Sequence, residues 1–226
     1  MDREQFKHKS LLMKRIILAM FLMVATTQVF AQVRLGLTAH PNFGFLKIEN
    51  GKGSGVSTGF SYGLMSDFEF AENYSFATGL TVTTINGKGT ALNYQPYHGI
   101  AATNAEYDVK FKMQYLEVPL SVKLKTDEQN DIRWYGQFGL TADIRIGARQ
   151  DVKSNNNTAL ADDVKAADFT KFLRAGMIIG GGMEYRMSGK TSLMGGLTYN
   201  NGLTNIAKDG ASIRNHYVGL NIGVFF

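Results

Sequence analysis

In eight stretches of this chain every second residue is uncharged and mostly apolar, while the residues between them carry the charge, and few folds accept both faces at once. The stretches are 33–42, 58–70, 74–86, 110–124, 132–148, 172–186, 191–200 and 213–226. Alternation with a period of two predicts strands. In 58–70 the uncharged row is Phe60, Tyr62, Leu64, Ser66, Phe68 and Phe70; in the last stretch it is Val218, Leu220, Ile222, Val224 and Phe226. The opposite rows hold Arg34, Asp67, Glu69, Glu117, Lys123, Arg133, Asp143, Arg145, Arg174 and Glu184, five cations against five carboxylates. A soluble barrel would put its apolar rows inside and its charges outside. An Arg or Lys facing lipid at mid-bilayer costs about 2–4 kcal/mol, so a long outward face without charge marks a sheet lodged in a membrane.

The connections sort in the same way. Short links at 71–73, near 126–131 and at 187–189 alternate with long runs such as 87–107 and 150–171. That alternation predicts an all-β, eight-stranded antiparallel transmembrane β-barrel with short periplasmic turns, long extracellular loops and both termini in the periplasm. Outer-membrane lipid covers the apolar faces, and the first strand pairs with the last to close the sheet. Phe68, Phe70, Tyr74, Phe76, Trp134, Tyr185 and Phe226 fall outward near the short-turn end, as an interfacial aromatic belt requires.

Residues 14–32, KRIILAMFLMVATTQVFAQ, set two cations before an apolar run from Ile16 to Ala25 and end in small residues. This predicts a signal peptide, 1–31, cleaved after Ala31, with residues 1–12 a misassigned upstream start. The run is too short for a membrane helix, which needs about 20 residues. The segment carries Arg3, Lys7, Lys9, Lys14 and Arg15 against Asp2 and Glu4, so +3 of the formal +5 leaves with it. The remaining +2 has no basic cluster, which argues against nucleic acid as a partner. With no cysteine there is no disulfide scaffold and no thiol chemistry.

With this pattern in place, the strand YLEVPLSVKLK, Tyr115 to Lys125, and the aromatic C-terminus resemble the porin-family outer-membrane β-barrel proteins of the PorT-like group. The resemblance covers residues 32–226 and implies location in the cell outer membrane. It also implies insertion by the barrel-assembly machinery, which reads a terminal strand ending in an aromatic, here Phe226. It implies little about activity, because such barrels serve as adhesins, secretion accessories and anchors.

Residues that could carry chemistry have plainer explanations. SGKTS at 188–192 echoes a phosphate-binding loop, but Glu184 stands where the first glycine belongs and a strand follows instead of a helix. Of the histidines, His8 leaves with the leader and His98 sits in a long loop; His40 points inward and His216 outward, which separates them. Loop 150–171 spaces Leu160, Val164, Ala167 and Lys171 as a short helix would, with Asn157 or Thr158 as cap. Loop 86–107, with Tyr94, Pro96, Tyr97 and His98, is the candidate for an extracellular ligand.

The resulting expectation is a monomeric, non-enzymatic barrel without cofactor or metal, serving as anchor or loop-presenting interaction protein. Eight strands enclose a space that side chains just fill. The ten inward charges are expected to pair into a network that plugs the lumen, with Glu117 partnered by Arg34, Arg133, Arg145 or Arg174. Inward glycines such as Gly36, Gly63, Gly139 and Gly180 would make room for arginines to cross. A small pore for ions or solutes and a lipid-modifying enzyme are the alternatives.

Overall fold

The computed structural model describes residues 32–49, 51–92, 106–154, 158–208 and 212–226. The expected leader, its cleavage position, His8 and the loop residues Tyr94, Pro96, Tyr97 and His98 lie outside these residues. The strands are β1 (Gln32–Ile48), β2 (Gly51–Gly53), β3 (Ser57–Ala71), β4 (Tyr74–Leu92), β5 (Glu106–Lys125), β6 (Ile132–Ser154), β7 (Ala159–Lys165), β8 (Leu173–Ser188), β9 (Thr191–Gly202) and β10 (Ile213–Phe225). Eight of them are staves of a closed antiparallel barrel in which each pairs with its sequence neighbour among the staves. β10 returns to β1, with Gly36 opposite Phe225 and Ile48 opposite Ile213. The two short strands pair at the rim, β2 with β4 and β7 with β6.

Both faces of the staves follow the alternation. From Phe60 to Phe70 the outward row of β3 runs about 33 Å along the strand and, at a tilt of about 40°, about 25 Å along the barrel axis, the height of a membrane barrel's apolar band. Phe70, Tyr74, Trp134, Tyr185 and Phe226 stand exposed at its short-turn edge, and Phe43, Phe60, Tyr62, Phe172 and Tyr199 ring the other edge. The turns are tight. Gly189 in the β8–β9 turn has φ 57°, and Asn130 and Asp131 in the β5–β6 turn take φ 52° and 63°, the left-handed region that Asn, Asp and Gly tolerate best.

The staves run well past this band: β4, β5 and β6 have 19, 20 and 23 residues, where a span needs about 9–11. Beyond the band the polarity inverts without any change of register. On β5 the outward residues become Glu106, Asp108, Lys110 and Lys112, and Tyr107, Val109, Phe111, Met113 and Tyr115 turn inward and are buried. Lipid rewards apolar residues outside; water rewards them inside. On β6 the transition includes a β-bulge. Tyr115 faces Arg145 and Gln114 faces Gly147, so Ile146 is the extra residue and inward parity passes from Asp143 to Ala148, Gln150 and Val152.

The strands therefore exceed their expected limits, β1 ending at Ile48, not 42, and β6 at Ser154, not 148. The helical spacing noted in 150–171 does not become a helix: the end of β6 and β7 form a strand pair. Its outer face is tied by charge, with Lys112 Nζ 3.1 Å from both Asp151 Oδ1 and Asp163 Oδ1 and Arg149 2.7 Å from Asp163 Oδ2. Hydrogen bonds from Arg149 and then Lys112 hold the Asp163 carboxyl below the usual aspartate range, and Asp151 and then Asp163 raise Lys112. The depressed carboxyl supports the pair fully above the ordinary aspartate pKa of about 3.9 and loses that support as pH falls through its folded value. A carboxyl-carbon titration should place the Asp163 midpoint below the ordinary value, and Arg149→Gln should move it upward. An unmoved midpoint would refute the tie.

Candidate functional site

The barrel interior is filled in three layers. At the short-turn mouth three cations, Arg34, Lys123 and Lys125, meet three carboxylates, Asp67, Glu69 and Glu184. Small Ser75 and Ala77 on β4 separate Asp67 of β3 from Lys123 of β5, and over them Lys123 Nζ reaches Asp67 Oδ2 at 2.8 Å. Lys125 lies 3.0 Å from Glu69 and 3.3 Å from Asp67; Arg34 lies 2.7 Å from Glu184. Aromatic faces cover this ionic layer. Arg34 sits 4.4 Å from the Phe225 centroid, and Lys123 lies 5.0 Å from that of Tyr135.

The middle layer is one rung of three strands. Glu117 of β5 faces Asp143 of β6, which faces Arg174 of β8. Arg174 binds Asp143 and donates to Asn215 Oδ1 at 2.6 Å and Asn200 Oδ1 at 2.8 Å. Asn200 in turn donates to Thr141 at 3.2 Å. Glu117 meets the Tyr217 hydroxyl, 2.8 and 3.0 Å from its two oxygens. Between the first two layers lies a cavity of about 90 Å³, lined by His40, Glu117, Lys123, Asn221 and Phe225 among others. At about 30 Å³ per molecule it has room for a few waters.

The third layer is largely apolar. Leu46, Ile48, Ile85, Val109, Phe111, Met113 and Tyr115 pack with Ala166, Ile206 and Ala207 from the long-loop segments across the barrel. Arg145 fastens this cover, donating to the carbonyls of Ala167 and Thr170 at 2.7 Å each.

Of the ten charges expected to form one lumen network, the structure brings Arg34, Asp67, Glu69, Lys123 and Glu184 together at the mouth and Asp143 with Arg174 above them. Three expectations are corrected. Arg133 pairs with Glu128 of the β5–β6 turn at 3.2 Å, because it stands at the end of the stave where the turn residue is nearer than the lumen. Arg145 sits at the bulge and holds loop carbonyls. Glu117 takes the Tyr217 hydroxyl in place of an arginine, since Arg174, the nearest of the four in register, is engaged by Asp143. Glycines make room for an aromatic as well as for an arginine: a side chain at Gly182 or Gly196 would collide with the Tyr135 hydroxyl, and Gly176 and Gly202 border Arg174.

Sequence reasoning missed Lys125, Tyr135, Tyr217 and Phe225. Lys125 lay one residue past the assumed end of its strand, although the alternation continues to it. His40 is buried inside and His216 lies on the outer wall, as their parity required. Residues 188–192 include the β8–β9 turn. Among the described residues no cluster of three His, Cys, Asp or Glu could hold a metal.

The family model "Outer membrane protein beta-barrel domain" matches residues 28–208. No curated protein matches the chain. Solved structures similar to it include Neisserial surface protein A (17% identity, 84% of this chain and 95% of that one, TM-score 0.46). The outer membrane protein OprG from Pseudomonas aeruginosa has 13% identity, covering 86% and 94%, with TM-score 0.44. Ail, the attachment invasion locus protein of Yersinia pestis, has 11% identity, covering 85% and 98%, with TM-score 0.38.

Proposed function

The chain belongs to the family of outer membrane protein β-barrel domains and resides in the outer membrane, and we propose that it acts there as a closed, non-enzymatic anchor that presents its long-loop end for interaction. The observation that carries this reading is that three successive layers close the lumen: ion pairs, then a polar rung, then an apolar core. An ion entering the barrel would have to shed water against Phe111, Met113 and Tyr115 and break pairs such as Lys123–Asp67, and breaking a buried pair costs about 3–5 kcal/mol. Purified protein in planar bilayers should show no steady channel. Reproducible ion-selective conductance would overturn the anchor reading and favour the small pore.

The PorT-like assignment draws its support from β5, whose YLEVPLSVKLK segment supplies Glu117, Lys123 and Lys125 to the lumen. Cleavage after Ala31 would release a chain whose β1 starts at its first residue, Gln32. In this reading the short turns face the periplasm. A tag at Glu128 should bind antibody only in permeabilised cells and one near Asn156, outside the described residues, on intact cells; labelling at Glu128 on intact cells would reverse the orientation.

The lipid-modifying enzyme would need a serine activated by an outward histidine. His216 instead accepts the Gly202 backbone N–H at Nδ1, 3.2 Å away, and packs on Phe45.

A further inference from the structure

On the outer wall, where β1, β10 and β9 leave the apolar band, a groove of about 450 Å³ opens toward the long loops. Its floor is aromatic. Phe45 stacks on His216, with centroids 5.4 Å apart and planes 17° from parallel, and lies parallel to Tyr199 at 6.4 Å. One step nearer the rim, Lys47 and Arg214 are cross-strand partners on the same wall. Both line the groove, and among the described residues no carboxylate lines it and neither cation is ion-paired.

His216 fixes the floor beneath them. The side chain is only 5% exposed, and its Nδ1 accepts the Gly202 N–H. An imidazole that accepts at Nδ1 carries its proton on Nε2. That Nε2 is buried without a partner. The ring is thus a fixed, neutral floor sealed from solvent, and the two cations above it, unpaired among the described residues, call for anionic oxygens.

The geometry points to a binding site for the phosphate of a lipid headgroup in the leaflet at the long-loop end, with Lys47 and Arg214 as counter-charges above the Phe45–His216 floor. The level is that of headgroups, since the wall below continues as Val218, Leu220 and Ile222, the last two exposed. That continuity favours a lipid over a free anion: the phosphate would rest on the cations while the acyl chains run down the apolar wall. The site needs the barrel in a bilayer but not a particular orientation in the cell, so its failure would leave the topology untouched.

The test uses the barrel in phosphatidylcholine nanodiscs doped with diphosphoryl lipid A, with retained lipid counted by native mass spectrometry. The unmodified barrel should retain lipid A, and K47Q/R214Q should hold it about thirtyfold more weakly, the effect of two cations near a charged headgroup. K47R/R214K should retain it near the unmodified level, and the folded, heat-modifiable gel band should be present in both variants. The His216 Nε2 proton resonance should shift on lipid A addition. Undiminished binding by K47Q/R214Q, equal loss in both variants, an unmoved resonance, or displacement by inorganic phosphate at the same concentration would each overturn the proposal.

Discussion

Arg174→Met should destabilise the folded barrel by about 3–5 kcal/mol, the cost of leaving the partner of a broken buried ion pair uncompensated. Methionine keeps most of the volume, so the loss isolates the charge and its hydrogen bonds. Asp143, 1% exposed, would keep its carboxyl in the lumen wall without the guanidinium. Asn200 Oδ1 and Asn215 Oδ1 would lose their donor in the same step. Adding Asp143→Leu should recover much of the stability, because replacing both members of a buried pair with apolar groups is often neutral. Urea unfolding of the reconstituted barrel, followed by Trp134 fluorescence, measures both. A loss below about 1 kcal/mol in the single variant would mean that water reaches this rung, and the closed lumen would be in doubt.

That rung shows what could be read from the sequence and what could not. Inward placement of Glu117, Asp143 and Arg174 follows from parity, since period-two alternation assigns a face to every residue between two turns. Partnership does not, because it depends on register between strands far apart in the chain. Tyr217 lies a hundred residues from Glu117, and no local pattern reports that their side chains meet. Strand ends were misplaced for a different reason. Apolar-outward rows stop where the barrel leaves the membrane, although EYDVKFKMQY continues the same alternation with its sign reversed. Lys125 shows the same fault at the other end of β5. Arg145 lies just before the bulge at Ile146–Gly147 and keeps inward parity opposite Tyr115, but its guanidinium turns to the carbonyls of Ala167 and Thr170, which parity within β6 does not report.

The last two residues of the chain should fail in different ways when changed. Phe225 points inward, fully buried, with Arg34 4.4 Å and Lys123 5.1 Å from its ring centroid. Truncating it removes a large buried side chain at the cover of the ionic layer and leaves a void that neighbouring staves, held by backbone hydrogen bonds, cannot collapse to fill. Phe225→Ala should therefore cost about 3–5 kcal/mol in unfolding of the refolded barrel. Phe226 points outward, 59% exposed, at the belt edge, where a charge costs only about 0–1 kcal/mol. Phe226→Asp should leave the refolded barrel nearly as stable as the unmodified one, yet mature protein in outer-membrane fractions should fall and unfolded precursor accumulate, if the assembly machinery reads this aromatic. Stability is measured in vitro by urea and in cells by the ratio of heat-modifiable barrel to precursor. Normal assembly of Phe226→Asp would count against the terminal signal, and a stable Phe225→Ala barrel would show that its ring does not close the lumen.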